Sequence, residues 1–135
     1  MKRPLEIYHR FQQLLFAGDF ARLGEVVDIE GYTENCVGIT GWTTGLQIAA
    51  ANFQKAFAPA FRDLNSTELD VVEGADSLAL RTRVEATHVG PFLGHAATNR
   101  RVSWEAIDLV RIKDGRIVWR YLLSDWHGLA AQLRA

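Results

Sequence analysis

Asp108 is the residue whose surroundings argue hardest for chemistry. It stands between Ile107 and Leu109, and alternation puts it on one face with Trp104, Ala106 and Val110. A carboxylate desolvated in this way needs a partner. Asp114-Gly115 is a strong hairpin signal, and a three-residue loop with a Gly bulge would pair Ile112 with Arg116. That register sets Asp108 opposite Arg120 and Ala106 opposite Leu122, so Asp108 and Arg120 become cross-strand neighbours. A two-residue loop would shift the register by one and break the pairing. Arg would hold the carboxylate ionised, whereas burial would push its pKa up. The pair could be a general base with a cationic orienter or oxyanion partner. It could equally be a buried ion pair that satisfies only itself.

Glu34 reads as a loop residue between Tyr32 and Asn35. At a cavity mouth it would give Asp108 a second carboxylate, and such pairs open epoxides and enolise ketones when their pKa values are split. As an ordinary loop residue it would face solvent. His88 could shuttle a proton or donate to a substrate oxygen, or it could brace the Gly90–Gly94 turn. Asp125 has the position of a helix cap. Neither H-x-x-x-H nor H-x-E occurs, so no metal is expected. Cys36 has no basic neighbour to activate a thiolate. The scattered glycines form no phosphate loop, and no cofactor is expected.

The elements that must position these residues change period partway along the chain. Pro4 suits the first turn of a helix, and Ile7, Phe11, Leu14 and Leu15 recur on one face before Gly18-Asp19. A second short helix carries Phe20, Leu23, Val26 and Val27. Asp28 to Gly41 reads as loop with short extended pieces. Thr44 and Gln47 have capping-box spacing ahead of a helix with Leu46, Ala49, Ala50, Phe53 and Phe57 on one side, and Pro59 ends it. From Ser66 the period becomes two. Four strands follow, around Leu69–Val71, Leu78–His88, Val102–Val110 and Ile117–Leu123, and then a closing helix through Leu133. Three N-terminal helices packed on an antiparallel sheet make an α+β domain, expected to span 1–135 as one unit.

Phe11, Leu15, Phe53, Phe57, Trp104 and Leu122 should face the space between helices and sheet. With Trp42, they are the expected substrate-binding set. Ile107, Leu109, Trp119 and Tyr121 point the other way, and a second copy covering that outer face is the expected remedy. The 135 residues are 48% apolar, and 15 basic against 16 acidic residues leave a net charge of −1. That balance argues against a nucleic-acid binder and suits a neutral, apolar small-molecule ligand. No apolar run nears the roughly 20 residues of a membrane span. The start lacks a signal-peptide stretch, and Cys36 is the one cysteine, so a cytoplasmic setting is expected.

Thr87-His88-Val89-Gly90-Pro91-Phe92-Leu93-Gly94 resembles the T/R-H-x-G-x-x-x-G segment of SnoaL-like polyketide cyclases. Thr98-Asn99-Arg100-Arg101 fits that family's T-x-R-R turn, and Arg111 to Ile117 fits its R-I-x-D-G-K-I hairpin. Asp125, Gly128 and Gln132-Leu133 fit its closing D-x-x-G-x-x-x-Q-L. The resemblance covers nearly the whole chain. It implies a cone-shaped α+β barrel, shared with ketosteroid isomerase, scytalone dehydratase and limonene epoxide hydrolase, with a curved sheet wrapping a long helix. It also implies an apolar cavity and dimers joined through the outer sheet face. In the founding cyclases an Asp on the last strand is the acid/base for an intramolecular aldol closure. Registered on Asp114-Gly115, that position falls on Leu122. A pocket His of the family falls on Asp108, a second His on Arg120, and an active-site Asn on or beside Glu34.

Three functions remain open. The first is a cofactor-independent cyclisation or isomerisation, with Asp108 as base, Arg120 as orienter, and His88 or Glu34 as second proton donor. The second is epoxide opening by the Glu34 and Asp108 carboxylates. The third is a non-catalytic cone that holds a small ligand.

Overall fold

The computed structural model describes residues 2–135. Helix α1, Pro4–Ala17, starts on the proline and buries Ile7, Tyr8, Phe11, Leu14 and Leu15, a stripe at helical spacing. A 3₁₀ turn over Phe20–Glu25 buries Leu23. Where loop was expected, β1 (Thr33–Cys36) and β2 (Gly41–Thr44) form a short hairpin. Helix α2, Leu46–Asn52, is preceded by Gly45 without a side-chain cap, so the Thr44–Gln47 capping box is not made. It runs into a π-helical turn over Phe53–Phe57.

Four long strands follow: β3 (Phe61–Glu73), β4 (Ser77–His88), β5 (Arg101–Lys113) and β6 (Arg116–Ser124). β3 begins earlier than the Ser66 boundary because Phe61 and Arg62 already pair with His88 and Thr87. Gly90 is needed beside this corner, since a Cβ there would sit 2.3 Å from the Pro59 carbonyl oxygen. Helix α3, Trp126–Arg134, is capped as expected: Asp125 accepts from the Gly128 N–H at 2.9 Å.

The sheet order is β2-β1-β6-β5-β4-β3. It is curved, open at both edges, and mixed rather than purely antiparallel, because β1 runs parallel to β6. The β5–β6 connection is a two-residue turn, not the expected three-residue loop. Lys113 pairs with Arg116, and Asp114 and Gly115 both have positive φ, as a type I′ turn demands. A bulge then makes Val118 the extra residue, so that Arg111 pairs with Trp119 and Asp108 with Leu122. Two apolar clusters fill the concave side. One joins α1 to Leu78, Leu80, Val110 and Ile117, and the other joins Phe61, Phe92 and Trp104 to Leu129 and Leu133. No helix among the described residues is long and apolar enough to cross a membrane.

Candidate active site

Between the two clusters lies a cavity of about 120 Å³ whose walls draw on both. One water needs only about 10–15 Å³ of such space, so there is room for a small organic molecule. Most of the lining is apolar. Phe11, Leu15, Phe53, Phe57, Trp104 and Leu122 all face it, as the sequence reading expected, and Trp126 joins them.

The charged side chains of the wall gather at one place. Asp108 on β5 is 1% exposed, Glu34 on β1 is 6% and Arg120 on β6 is 9%. The Arg120 guanidinium donates to Asp108 through Nε, 3.0 Å from each carboxylate oxygen, and Nη2 lies 2.8 Å from Oδ2. The expected Asp108–Arg120 contact therefore exists, but by a different route. The two are not opposite each other: Asp108 faces Leu122 and Arg120 faces Val110. They meet as diagonal neighbours, within reach for a side chain as long as Arg. A two-residue turn alone would have put Arg120 on the wrong face. The bulge at Val118 restores the parity.

Glu34 is a strand residue facing inward, which corrects its assignment to a loop. It pairs in register with Arg120 and has Oε1 3.9 Å from Nη1. Two tyrosines complete the line. Tyr8 of α1 donates to Asp108 Oδ2 at 2.9 Å, and Tyr32 donates to Glu34 Oε1 at 2.6 Å. The Cys36 thiol donates to Glu34 Oε2 at 3.4 Å. The Phe11 ring lies 5.2 Å from the guanidinium carbon, an added cation–π contact.

Two carboxylates share a single guanidinium, so the cluster is net negative when both are ionised. Burial pushes the Asp108 carboxyl above its ordinary range, and the carboxylate of Glu34 adds to the shift; Arg120 and the Tyr8 hydroxyl oppose it. Burial is the largest single influence on Arg120 and works against its charge, but Asp108, Tyr32, Tyr8 and Cys36 together outweigh it and the guanidinium titrates well above its usual value. Burial raises both tyrosines, reinforced by the carboxylate each one faces. The Cys36 thiol is pushed up to about 12, chiefly by burial and then by Glu34, so it stays protonated. Among the described residues no three His, Cys, Asp or Glu side chains converge as metal ligands would.

Two expected site residues lie elsewhere. His88 is fully buried but does not line the cavity. Its Nδ1 accepts from the Thr98 N–H at 3.2 Å and lies 3.0 Å from the Thr98 hydroxyl, so it ties down the Val89–Arg100 loop. Trp42 projects from the opposite face of the sheet and is 54% exposed. There it stacks near Trp119 and Tyr121, with ring centroids 5.7 and 6.0 Å away. The reason is alternation: Trp42 is paired with Asn35, one residue out of phase with Glu34.

Tyr8, Tyr32 and Cys36 were missed from sequence. Tyr8 occupies the apolar stripe three residues before Phe11. Tyr32, Glu34 and Cys36 recur at period two, the signal of a short strand.

A family model described as SnoaL-like polyketide cyclase matches residues 5–133. Solved structures share the fold over nearly the whole chain. TsrD from Streptomyces laurentii is 26% identical with a TM-score of 0.78, covering 96% of this chain and 92% of its own. IdmH from Streptomyces antibioticus is 23% identical with a TM-score of 0.83, over 99% and 100%. A SnoaL-like polyketide cyclase from Agrobacterium tumefaciens is 22% identical with a TM-score of 0.79, over 98% and 99%. No protein of curated function matches the sequence.

Proposed function

The chain belongs to the SnoaL-like polyketide cyclase family, and from that premise we propose a cofactor-independent acid/base catalyst acting on an apolar, oxygenated, polyketide-like small molecule. The reaction is proton abstraction next to a carbonyl, followed by ring closure or isomerisation. The observation that carries this reading is the buried Asp108–Arg120–Glu34 line in the wall of a mostly apolar cavity. Asp108 is the base, and burial raises its basicity in the direction that favours proton abstraction. Its Oδ2 accepts from Tyr8 and Arg120, whereas Oδ1 accepts only from Arg120 Nε, so Oδ1 is the freer oxygen. Arg120 Nη1 makes no short contact with Asp108 and stands 3.9 Å from Glu34. It is the group to receive the enolate oxygen. The substrate proton moves to the Asp108 carboxylate and its bonding pair becomes the enolate. Glu34 serves the second proton transfer.

The test needs no knowledge of the natural substrate. Enolisation exchanges the α-protons of 1-tetralone in D₂O, which NMR follows directly. The wild-type chain accelerates exchange, and Asp108→Asn lowers the rate by about 10²–10⁴-fold, the usual worth of a general base. Unchanged exchange in Asp108→Asn removes Asp108 from the chemistry. Ligand binding without exchange in the wild type marks a non-catalytic binder.

A second reading is favoured by one observation: Glu34 is buried and fixed by Tyr32 rather than solvated. Two carboxylates around one cation suit epoxide opening, with one activating water and the other protonating the leaving oxygen. Hydrolysis of cyclohexene oxide without any tetralone exchange would support it.

The outer face of the sheet supports a second copy of the chain as partner. Ile107 and Leu109 are exposed there, beside Trp119 and Tyr121, and Trp42 extends the apolar area to the β2 edge.

A further inference from the structure

Away from the Asp108–Arg120 cluster, the cavity wall carries a second group of polar side chains. Gln12 on α1, Ser66 on β3 and Thr82 on β4 all line it. None of the three makes a side-chain hydrogen bond to another described residue, and Thr82 is only 5% exposed. Gln12 and Ser66 are half-buried, so the polar atoms of all three are left free for whatever fills the cavity.

Their placement follows from register. Leu80 pairs with Asp108, and Thr82 pairs with Ala106. Thr82 is therefore one inward-facing step beyond the Asp108 row, about 6.6 Å along the strand. Ser66 is the next inward residue on β3 after Glu68, which pairs with Thr82. Two side-chain contacts fix how α1 lies over this wall: Arg3 meets Glu73, and His9 meets Glu68. The helix thus advances in the same direction as β4. Gln12 follows Tyr8 by four residues, one turn or about 5.4 Å further along. Gln12, Ser66 and Thr82 come together roughly one helical turn from the Tyr8–Asp108 contact, toward Phe16 and Phe53.

We infer that Gln12, Ser66 and Thr82 form a second polar station that receives a remote, neutral oxygen of the ligand. The ligand class is an apolar ring system carrying a carbonyl or hydroxyl at each end. The station offers an amide and two hydroxyls, which can donate and accept but carry no charge, so a carbonyl or hydroxyl suits it better than a carboxylate. The spacing corresponds to the span of about one carbocyclic ring. This inference rests on the reading that the reacting carbonyl lies against Arg120.

Two probes separate the stations. 1-Tetralone has the ketone alone, and 6-hydroxy-1-tetralone adds a hydroxyl at the far end. Isothermal titration calorimetry on the wild-type chain is expected to show the hydroxyketone binding about ten-fold more tightly, the worth of one good hydrogen bond. Thr82→Val keeps the side-chain shape, and Gln12→Leu keeps the helix. Each is expected to shrink the preference to about two-fold or less while leaving 1-tetralone binding unchanged. Equal affinities in the wild type, a preference that survives both substitutions, or failure of both probes to bind overturns the inference. Asp108→Asn keeps the preference if the station stands. A wild-type chain that prefers the hydroxyketone but exchanges no α-protons would sink the catalytic reading and leave the station in place.

Discussion

Replacing Arg120 by Leu isolates what the buried pair does. The substitution removes the donors at 2.8–3.0 Å from Asp108 and leaves a carboxyl that is 1% exposed with only the Tyr8 hydroxyl as partner. Breaking a buried pair in this way costs about 3–5 kcal/mol when the remaining group stays charged. Asp108 avoids that cost by holding its proton, so the loss depends on pH. Its folded-state pKa is already raised above 3.8 by burial, and without Arg120 it rises further. A folded-state pKa above the unfolded value means the folded chain binds the proton more tightly. The stability it contributes is full at acid pH and lost as pH rises toward the folded value. At about 1.4 kcal/mol per unit, a 3–5 kcal/mol loss spreads over roughly two to four pH units. Relative to the parent, the loss begins as pH passes the parent's own raised Asp108 pKa and is complete once pH passes the variant's higher one. With an unfolding entropy near 2.1 cal/mol/K per residue, the variant melts about 10–18 °C below the parent at pH 8 and far closer to it at pH 4. Thermal denaturation by circular dichroism at both pH values reads this directly. Adding Asp108→Asn to Arg120→Leu removes the pH step and leaves a flat penalty of about 1–3 kcal/mol. A penalty that is flat in Arg120→Leu itself, or one below 1 kcal/mol at pH 8, would refute the claim that Asp108 is desolvated and held by Arg120.

Two further outcomes are expected. Ile107→Glu together with Leu109→Glu places charge on the outer face, and light scattering after gel filtration should report a single chain where the parent runs as two. A parent that is monomeric at micromolar concentration would end the proposal of a second copy there. His88 is buried and its pKa is lowered, chiefly by burial and then by His95 and Arg100, against a Gly90 contact that raises it. Its Nδ1 already accepts from Thr98, so protonation there would set two donors against each other. The stability it provides is present above pH 6.5 and lost as pH falls below it. Amide exchange across residues 89–100 should therefore accelerate below pH 6.5 beyond the intrinsic chemical dependence. His88→Gln should remove that step, and its persistence in the variant would assign the step to another group.

The face of each long strand was legible because alternation is a strict rule. Alternation predicts Trp104, Asp108 and Leu122 inward and Ile107, Leu109 and Trp119 outward, and the structure has that division. Register was less legible. The turn length and the bulge at Val118 each shift pairing by one, and their sum preserves the face while moving Arg120 from opposite Asp108 to diagonal. No local residue preference announces a bulge at a valine. The β1–β2 hairpin was harder still. The period-two run of Tyr32, Glu34 and Cys36 is only three positions long, too short to fix a strand by itself, and β1 gains its place by pairing in parallel with β6, more than eighty residues away. Hence Glu34 and Trp42 were misplaced together: without the strand, neither had a face. Tyr8 was overlooked for the opposite reason. On an apolar helical stripe a tyrosine reads as core, and its hydroxyl acquires meaning only when the partner strand brings Asp108 to it.

The same reasoning bears on the leucine at position 122. The resemblance to SnoaL-like cyclases puts their acid/base carboxylate there, which by itself would suggest a disarmed site. Leu122 has Asp108 as its register partner on one side and Cys36 on the other, and it lines the cavity. Neighbouring strands are about 4.8 Å apart, so a carboxylate at 108 faces the same volume from one strand over. A move of that size preserves access to a ligand but changes what surrounds the carboxylate. At position 108 it is buried against α1, where Tyr8 can reach it, and Arg120 two residues before Leu122 is long enough to clamp it. The exchange of Leu122 for a carboxylate is therefore no simple restoration. Leu122→Asp would place a second acid directly opposite Asp108, and two carboxylates so close cannot both ionise. The variant should lose stability as pH rises above about 4. Its tetralone exchange rate should fall, or shift to a higher pH, rather than increase. A rate increase at neutral pH would mean that the position at Leu122, not Asp108, is where the base belongs.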